Sequence, residues 1–201
     1  MNHSAHRYFA IHKPYDMVSQ FVSSVNVPLL GELDFDFPEG THAIGRLDIN
    51  SEGLLLLTTN KKVTQLLFQG NVPHDRTYLV MVKDIVSTES LEHLRNGVRI
   101  RIKGGSYYTT PPCKVMIAQA PHTLWPLPIP HRTDIPHTWL LITLTEGKFH
   151  QVRKMVAAVK HKCQRLIRIS IEDLQLGDLP PGGVREMDEA TFFQQLRITD
   201  Y

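Results

Sequence analysis

Two stretches of this chain carry side chains able to do chemistry. The first is Gly45-Arg46-Leu47-Asp48, followed by Ser51-Glu52-Gly53 and the apolar run Leu54-Leu55-Leu56-Leu57. A turn with one carboxylate beside one guanidinium, leading into a buried strand, puts Asp48 at the rim of a sheet where a substrate can reach it. An arginine partner would hold that carboxylate ionised and oriented, as a nucleophile or a base requires. The second stretch is Glu146-Gly147-Lys148-Phe149-His150-Gln151-Val152-Arg153-Lys154-Met155. Seven Lys/Arg and no acid lie between Gly147 and Ile171. If a helix opens at Lys148, unpaired N–H groups and cations converge where a phosphate can bind. Each stretch has a plainer reading, an Asp that caps a turn and a helix with a solvated cationic face. Tyr78 beside Arg76 reads as a strand packing residue, and Leu166 in Arg165-Leu166-Ile167-Arg168 as core.

Other chemistries lose support. The eleven histidines are dispersed, with no HExxH pattern, and Cys113 and Cys163 have neither disulfide-framework nor zinc-like spacing. No metal site is expected. Phosphate-loop, Gly-x-Ser-x-Gly and dinucleotide patterns are missing, so no cofactor is expected either. A glycosidase would need a second carboxylate, for which Glu52 is the nearest candidate, but the basic middle of the chain suits neutral sugars poorly. There is no uncharged apolar run of about 18 residues, so no membrane span is expected. The N-terminus leads into a strand pattern rather than a signal-peptide core. These features point to a reduced, cytoplasmic setting, and a monomer is the default expectation.

The net charge of +2 hides an uneven distribution. Residues 1–92 hold 7 Lys/Arg against 11 Asp/Glu. Residues 93–171 hold 13 Lys/Arg against only Asp134 and Glu146. Residues 172–201 hold 2 Lys/Arg against 7 Asp/Glu. A basic middle between acidic ends is an electrostatic footprint suited to phosphates.

The elements that must position these residues read as follows. Strands are expected at Arg7–His12, Thr41–Gly45, Leu54–Thr58, Arg76–Lys83, Val98–Lys103, Cys113–Ala118, Trp139–Thr145 and Cys163–Ile169. Asn60 can cap a short helix through Phe68, and Ser87–Asn96 is an amphipathic helix stopped by Gly97. Lys148–Lys160 is expected to be a helix with Phe149, Val152, Val156 and Val159 as its apolar stripe. Asp188 can cap a final helix holding Phe192, Phe193 and Leu196. Five prolines make residues 121–137 a stiff, extended loop. The sum is an α+β fold with a mixed, mostly antiparallel central sheet and flanking helices.

Four motifs in order carry a resemblance over residues 7 to 187. Lys13-Pro14, Gly45-Arg46-Leu47-Asp48, Arg76-Thr77-Tyr78 and Glu146-Gly147-Lys148-x-x-Gln151-Val152-Arg153-Lys154-Met155 resemble those of the RsuA-type pseudouridine synthases, and Arg165-Leu166-x-Arg168 is similar to a further segment. Leu124-Trp125-Pro126 and Ile135–Leu140, with the short N-terminus, look most like the RluE subgroup. Phe149 and His150 depart from the family, which more often has Asn and Arg there.

The resemblance implies a pseudouridine synthase fold with a catalytic cleft, formed by one catalytic domain over 1–201. That domain would have two interleaved subdomains crossing near 71–76 and no small N-terminal RNA-binding domain. It implies Asp48 as the catalytic aspartate, Tyr78 stacked on the target uracil, Arg153 paired with Asp48, and Leu166 on the floor of the site. Lys13, Arg46, Arg76, Lys148, Gln151, Lys154 and Arg168 are the expected substrate contacts. The implied substrate is a uridine of large-subunit ribosomal RNA or its assembly intermediate, isomerised without a cofactor. A non-catalytic RNA-binding assembly factor on the same fold is the alternative.

Overall fold

The computed structural model describes residues 6–68, 72–119, 125–126, 134–199 and 201. Most of the proline-rich 121–137 stretch lies outside the described residues. In chain order the elements are β1 (Tyr8–Lys13), β2 (His42–Ile44), β3 (Glu52–Thr58), α1 (Val63–Phe68), β4 (Arg76–Lys83) and α2 (Thr88–Asn96). There follow β5 (Arg99–Arg101), β6 (Tyr107–Thr109), β7 (Lys114–Ala118), β8 (His137–Leu144), α3 (Gln151–Ala158), β9 (Cys163–Ile171), β10 (Leu174–Gln175), β11 (Val184–Met187) and α4 (Glu189–Gln195). The chain divides into two compact units. One is Met1–His74 with Arg168–Tyr201, the other Asp75–Ile167.

In the first unit, β1 lies between β11 and β3, antiparallel to both, with Tyr8 opposite Met187 and Thr58. β2 adds to β3 with Ile44 opposite Leu56, and β10 folds back on the end of β9. Every residue of β3 is buried. A strand covered on both faces needs a continuous apolar run instead of alternation, which is why Leu54–Leu57 are all leucine. Cutting one of these back to Ala removes about 2–5 kcal/mol. Tyr8 packs on Phe192 and Phe193 of α4, with ring centroids 4.8 and 5.4 Å away. Phe9 meets Phe35 and Phe37 edge-on at 5.5 Å. The Tyr8 hydroxyl donates to Glu189 and accepts from Asn60, and burial pushes its pKa up to about 12. Asp188 caps α4 as expected, accepting from Thr191 N–H at 2.9 Å.

In the second unit, β4, β8 and β7 form an antiparallel sheet, with Tyr78 opposite Ile142 and Val115 opposite the same Ile142. α2 starts at the Ser87 cap, which accepts from Ser90 N–H, and buries Leu91 and Leu94. It stops at Gly97, where φ is +100° and a Cβ would stand 2.1 Å from the Thr110 carbonyl oxygen, so only glycine fits. β5 and β6 pair as a hairpin around Gly104-Gly105.

Two expectations need correction. The basic helix opens at Gln151, not Lys148. Lys148–His150 is a turn, because His150 takes a left-handed conformation (φ +56°) and the Gln151 side chain accepts from Lys148 N–H at 2.7 Å. Phe149 therefore leaves the apolar stripe and faces solvent, while Met155 is buried in its place. The strand expected over Val98–Lys103 is shorter, Arg99–Arg101, because Ile102 N–H already donates into the turn, to Ser106. Strands β6, β10 and β11 had no expectation.

Candidate functional site

In the first unit the site is a turn held from below. Gly45 has φ +74°, and a Cβ there would come within 2.6 Å of the Phe68 ring, so the turn into Arg46 depends on glycine. Leu47 is then clamped by one side chain, since buried Ser19 Oγ accepts from Leu47 N–H at 2.9 Å and donates to the Leu47 carbonyl at 3.0 Å. Ser51 N–H donates to the Asp48 carbonyl at 3.0 Å, closing the turn into β3. With its backbone fixed at both ends, Asp48 is left half-buried and Arg46 exposed.

Lys13, at the end of β1, is fully buried. Its ammonium donates to the carbonyls of Pro14 at 2.7 Å, Met17 at 2.6 Å and Ile49 at 3.3 Å. Burial pushes its pKa down to about 8, against the opposing pull of Glu52, Asp48 and Asp16. Lys13 is expected to meet substrate; here its donors are engaged by three carbonyls and its charge lies beneath the turn. Arg168 is likewise buried, and its Nε donates to the Leu54 carbonyl at 2.8 Å. Its outer Nη2 has no hydrogen-bond partner among the described residues.

In the second unit, Arg76 and Tyr78 sit on β4, and Leu166 on β9; all three are buried. Glu146 organises the basic segment. Its Oε2 accepts from the Tyr108 hydroxyl and its Oε1 from Gln151 Nε2, both at 2.6 Å. The hydrogen bond to Glu146, with smaller effects of burial and charge, holds the Tyr108 pKa above the ordinary tyrosine value. The Lys148 ammonium lies 4.9 Å from the Tyr108 ring centroid. A Cβ on Gly147 would stand 3.3 Å from Arg76 Nη1, so this segment passes close to the end of β4. Arg153 is half-buried, and its Nη1 donates to Cys163 Sγ at 3.5 Å. The Lys154 ammonium lies 5.3 Å from the Phe149 ring centroid, on the partly exposed side of α3.

The structure thus gathers Lys13 and Asp48 in one unit, and Arg76, Lys148 and Gln151 in the other. Arg46, Asp48 and Arg168 belong to the first unit, and Tyr78, Arg153, Lys154 and Leu166 to the second. Gln151, an expected substrate contact, is buried and tied to Glu146 and Lys148 N–H, which makes it a brace for the segment. Sequence reasoning missed Ser19 and Tyr108, and gave Glu146 no role of its own although it opens the Glu146–Met155 motif. Tyr108 had a signal, because the alternation across the Gly104-Gly105 turn sets it opposite Ile100. Among the described residues, no three His, Cys, Asp or Glu side chains are grouped to hold a metal ion, and no helix is long and apolar enough to cross a membrane.

Comparison with known proteins gives a consistent result. Residues 7–158 match the family model described as RNA pseudouridylate synthase. A Vibrio parahaemolyticus protein named ribosomal large subunit pseudouridine synthase E is 40% identical over 177 residues, which is 87% of this chain and 71% of the relative. A protein of the same name from Xanthomonas axonopodis pv. citri is 36% identical over 173 residues, 85% of this chain and 88% of that one. A crystal structure of a pseudouridylate synthase superposes with a TM-score of 0.77 at 26% identity, covering 95% of this chain and 74% of that chain.

Proposed function

This chain belongs to the RNA pseudouridylate synthase family, and from that premise we propose that it isomerises one uridine of large-subunit ribosomal RNA, with Asp48 acting at the ribose. The large-subunit target is supported by the names of the relatives that are 35–40% identical. The cytoplasm is the compartment that this substrate implies.

The observation that carries the assignment is the Asp48 turn. One carboxylate is presented half-exposed, with its backbone clamped by Ser19 and Lys13 and with Arg46 beside it in solvent. Preorganisation of that kind is what an attacking or proton-accepting group needs, since reorientation during reaction would raise the barrier.

The reaction breaks the N1–C1′ bond, turns the uracil and joins C5 to C1′; C5 gives up its hydrogen as a proton and N1 takes up a proton. It is redox-neutral. Asp48 acts either as nucleophile or by accepting a proton. A stacked uridine has to leave the helix to reach such a group. Arg46 then fills the space the base leaves, Tyr78 and Leu166 flank the uracil, and Arg153 keeps the role the resemblance implies for it. Lys148 and Lys154 attract phosphates, Gln151 braces the segment that bears Lys148, and Lys13 and Arg168 hold the backbone at Ile49 and Leu54 in the unit of Asp48.

The test is tritium release from large-subunit ribosomal RNA labelled at uridine C5. Wild type should release tritium, and Asp48→Asn should release none while binding the same RNA. Salt-sensitive binding without release by the wild type, on free RNA and on immature subunits, would overturn the catalytic assignment.

A further inference from the structure

The exposed face of the β5–β6 hairpin has no part in the chemistry above. Its residues alternate, with Arg99 and Arg101 outward and Ile100 buried between them, and with Arg101 opposite Tyr107. Tyr107 is 62% exposed, and the Arg99 guanidinium lies over its ring, 4.1 Å from the centroid. A tyrosine left in solvent with one face against a guanidinium has its other face open.

A second exposed aromatic group beside a cation stands on the Lys148–His150 turn. Phe149 is 64% exposed, stacks on His150 at 3.8 Å and 19°, and has the Lys154 ammonium 5.3 Å from its ring centroid. The two aromatic groups stand on segments joined to each other. Tyr108 donates to Glu146, and Lys148 covers the Tyr108 ring. The one acid in that joint, Glu146, accepts from two neutral donors and ties the hairpin to the turn.

We infer that this hairpin and turn form a stacking platform for unpaired nucleotides beside the target uridine, with Tyr107 and Phe149 each receiving a base and Arg99, Arg101 and Lys154 drawing in the backbone. The inference rests on the reading that the substrate is RNA. Three features favour this occupant. Residues 93–171 have 13 Lys/Arg against two acids, a cationic surplus that attracts phosphates. Both aromatic rings are paired with a cation, the arrangement that suits a base set against a charged backbone. The rings are exposed singly instead of forming one apolar patch, which does not suit a protein interface core.

The experiment is binding of a large-subunit ribosomal RNA hairpin carrying 2-aminopurine in its unpaired flank, measured over a series of salt concentrations. Tyr107→Ala and Phe149→Ala should each weaken binding by about tenfold and reduce the quenching of 2-aminopurine, leaving the salt slope as in wild type. Arg99→Ala should instead lower that slope by about 1. Phe149→Trp should restore binding and Phe149→Leu should not. Both aromatic residues are exposed, so these variants keep the fold. In tritium release, Phe149→Ala should raise KM and keep the rate at saturating RNA.

Unchanged affinity in both alanine variants would overturn the platform, and so would wild-type binding by Phe149→Leu, which would mark an apolar contact of the kind a protein makes. The two readings fail separately. Loss of affinity in the variants with no tritium release by wild type removes the catalytic reading alone. Release by wild type with unchanged binding in the variants removes the platform alone.

Discussion

The Lys13 ammonium donates to the carbonyl of Ile49, the residue that follows Asp48. A buried cation at the end of β1 therefore holds the turn that presents the carboxylate. It also feels the charges of Glu52 and Asp48.

This link predicts opposite responses of activity and stability to pH. The folded chain releases the Lys13 proton near pH 8, whereas an unfolded lysine holds it to about 10.5. Below pH 8 both states are protonated, and the cost of burying the charge is present in full. Between pH 8 and 10.5 the unfolded state binds more protons, so this group's contribution to stability rises with pH, by roughly 3 kcal/mol at most. Activity should move the other way. A neutral amine weakens the bonds that hold the turn, so turnover should fall through about pH 8. Lys13→Met should cut turnover by about tenfold to a hundredfold and abolish that alkaline limb. A limb that persists in Lys13→Met belongs to another group.

Ser19 should matter to a degree its type does not suggest. Ser19→Ala leaves the N–H and C=O of buried Leu47 without a partner. Each unsatisfied group costs about 1–3 kcal/mol, so thermal denaturation should show a clear loss of stability. Tritium release should fall while RNA affinity holds, because the lost bonds are under Asp48 and not on a cationic surface.

Gly45→Ala should strain the same turn from its other end. A left-handed backbone costs a non-glycine residue about 1–2 kcal/mol, and the new Cβ meets Phe68 at 2.6 Å. Adding Phe68→Leu relieves the contact and leaves the backbone strain. Urea denaturation should therefore show partial rescue in the double variant. Full rescue would mean that the backbone conformation is not the constraint.

The Tyr108 hydroxyl reports on the basic segment. Its pKa lies above the ordinary tyrosine value, chiefly because it donates to Glu146. The folded state thus keeps this proton longer than the unfolded state, and the stabilisation is lost as pH rises through the folded value. Glu146→Gln should bring the ionisation of Tyr108 down, seen as an earlier rise of phenolate absorbance. It should also loosen Gln151 and lower RNA affinity, since the turn bearing Lys148 loses its brace.

Local signals were legible wherever neighbours in sequence decide the structure. Arg76–Lys83 forms a strand over those same residues, and α2 begins and ends at its Ser87 and Gly97 caps. The antiparallel α+β architecture followed from such elements. The start of α3 did not, because a left-handed His150 and the Gln151 side chain set it, and apolar periodicity carries neither. β11 follows Pro180-Pro181-Gly182-Gly183, which reads as loop, and only its pairing with β1 makes it a strand. In the site, the type and spacing of residues made Asp48 a candidate, and the family resemblance supplied its role. The burial of Lys13 could not be read, since it depends on carbonyls supplied from Met17 and Ile49. Ser19 was invisible for the same reason, being linked to Leu47 across 28 positions.

The first unit takes its residues from both ends of the chain, with residues 75–167 set between them. During synthesis the second unit is complete once Ile167 has left the ribosome. The first is not, because β1 waits for β11 and the Tyr8 ring waits for Phe192 and Phe193. The nascent chain therefore displays a half-finished apolar sheet carrying Asp48 when every residue of its cationic unit has already been made. Completion of the sheet that carries the carboxylate turn is thereby placed late in translation, and early termination after residue 167 yields a chain that has its positive charge but lacks β10, β11 and α4.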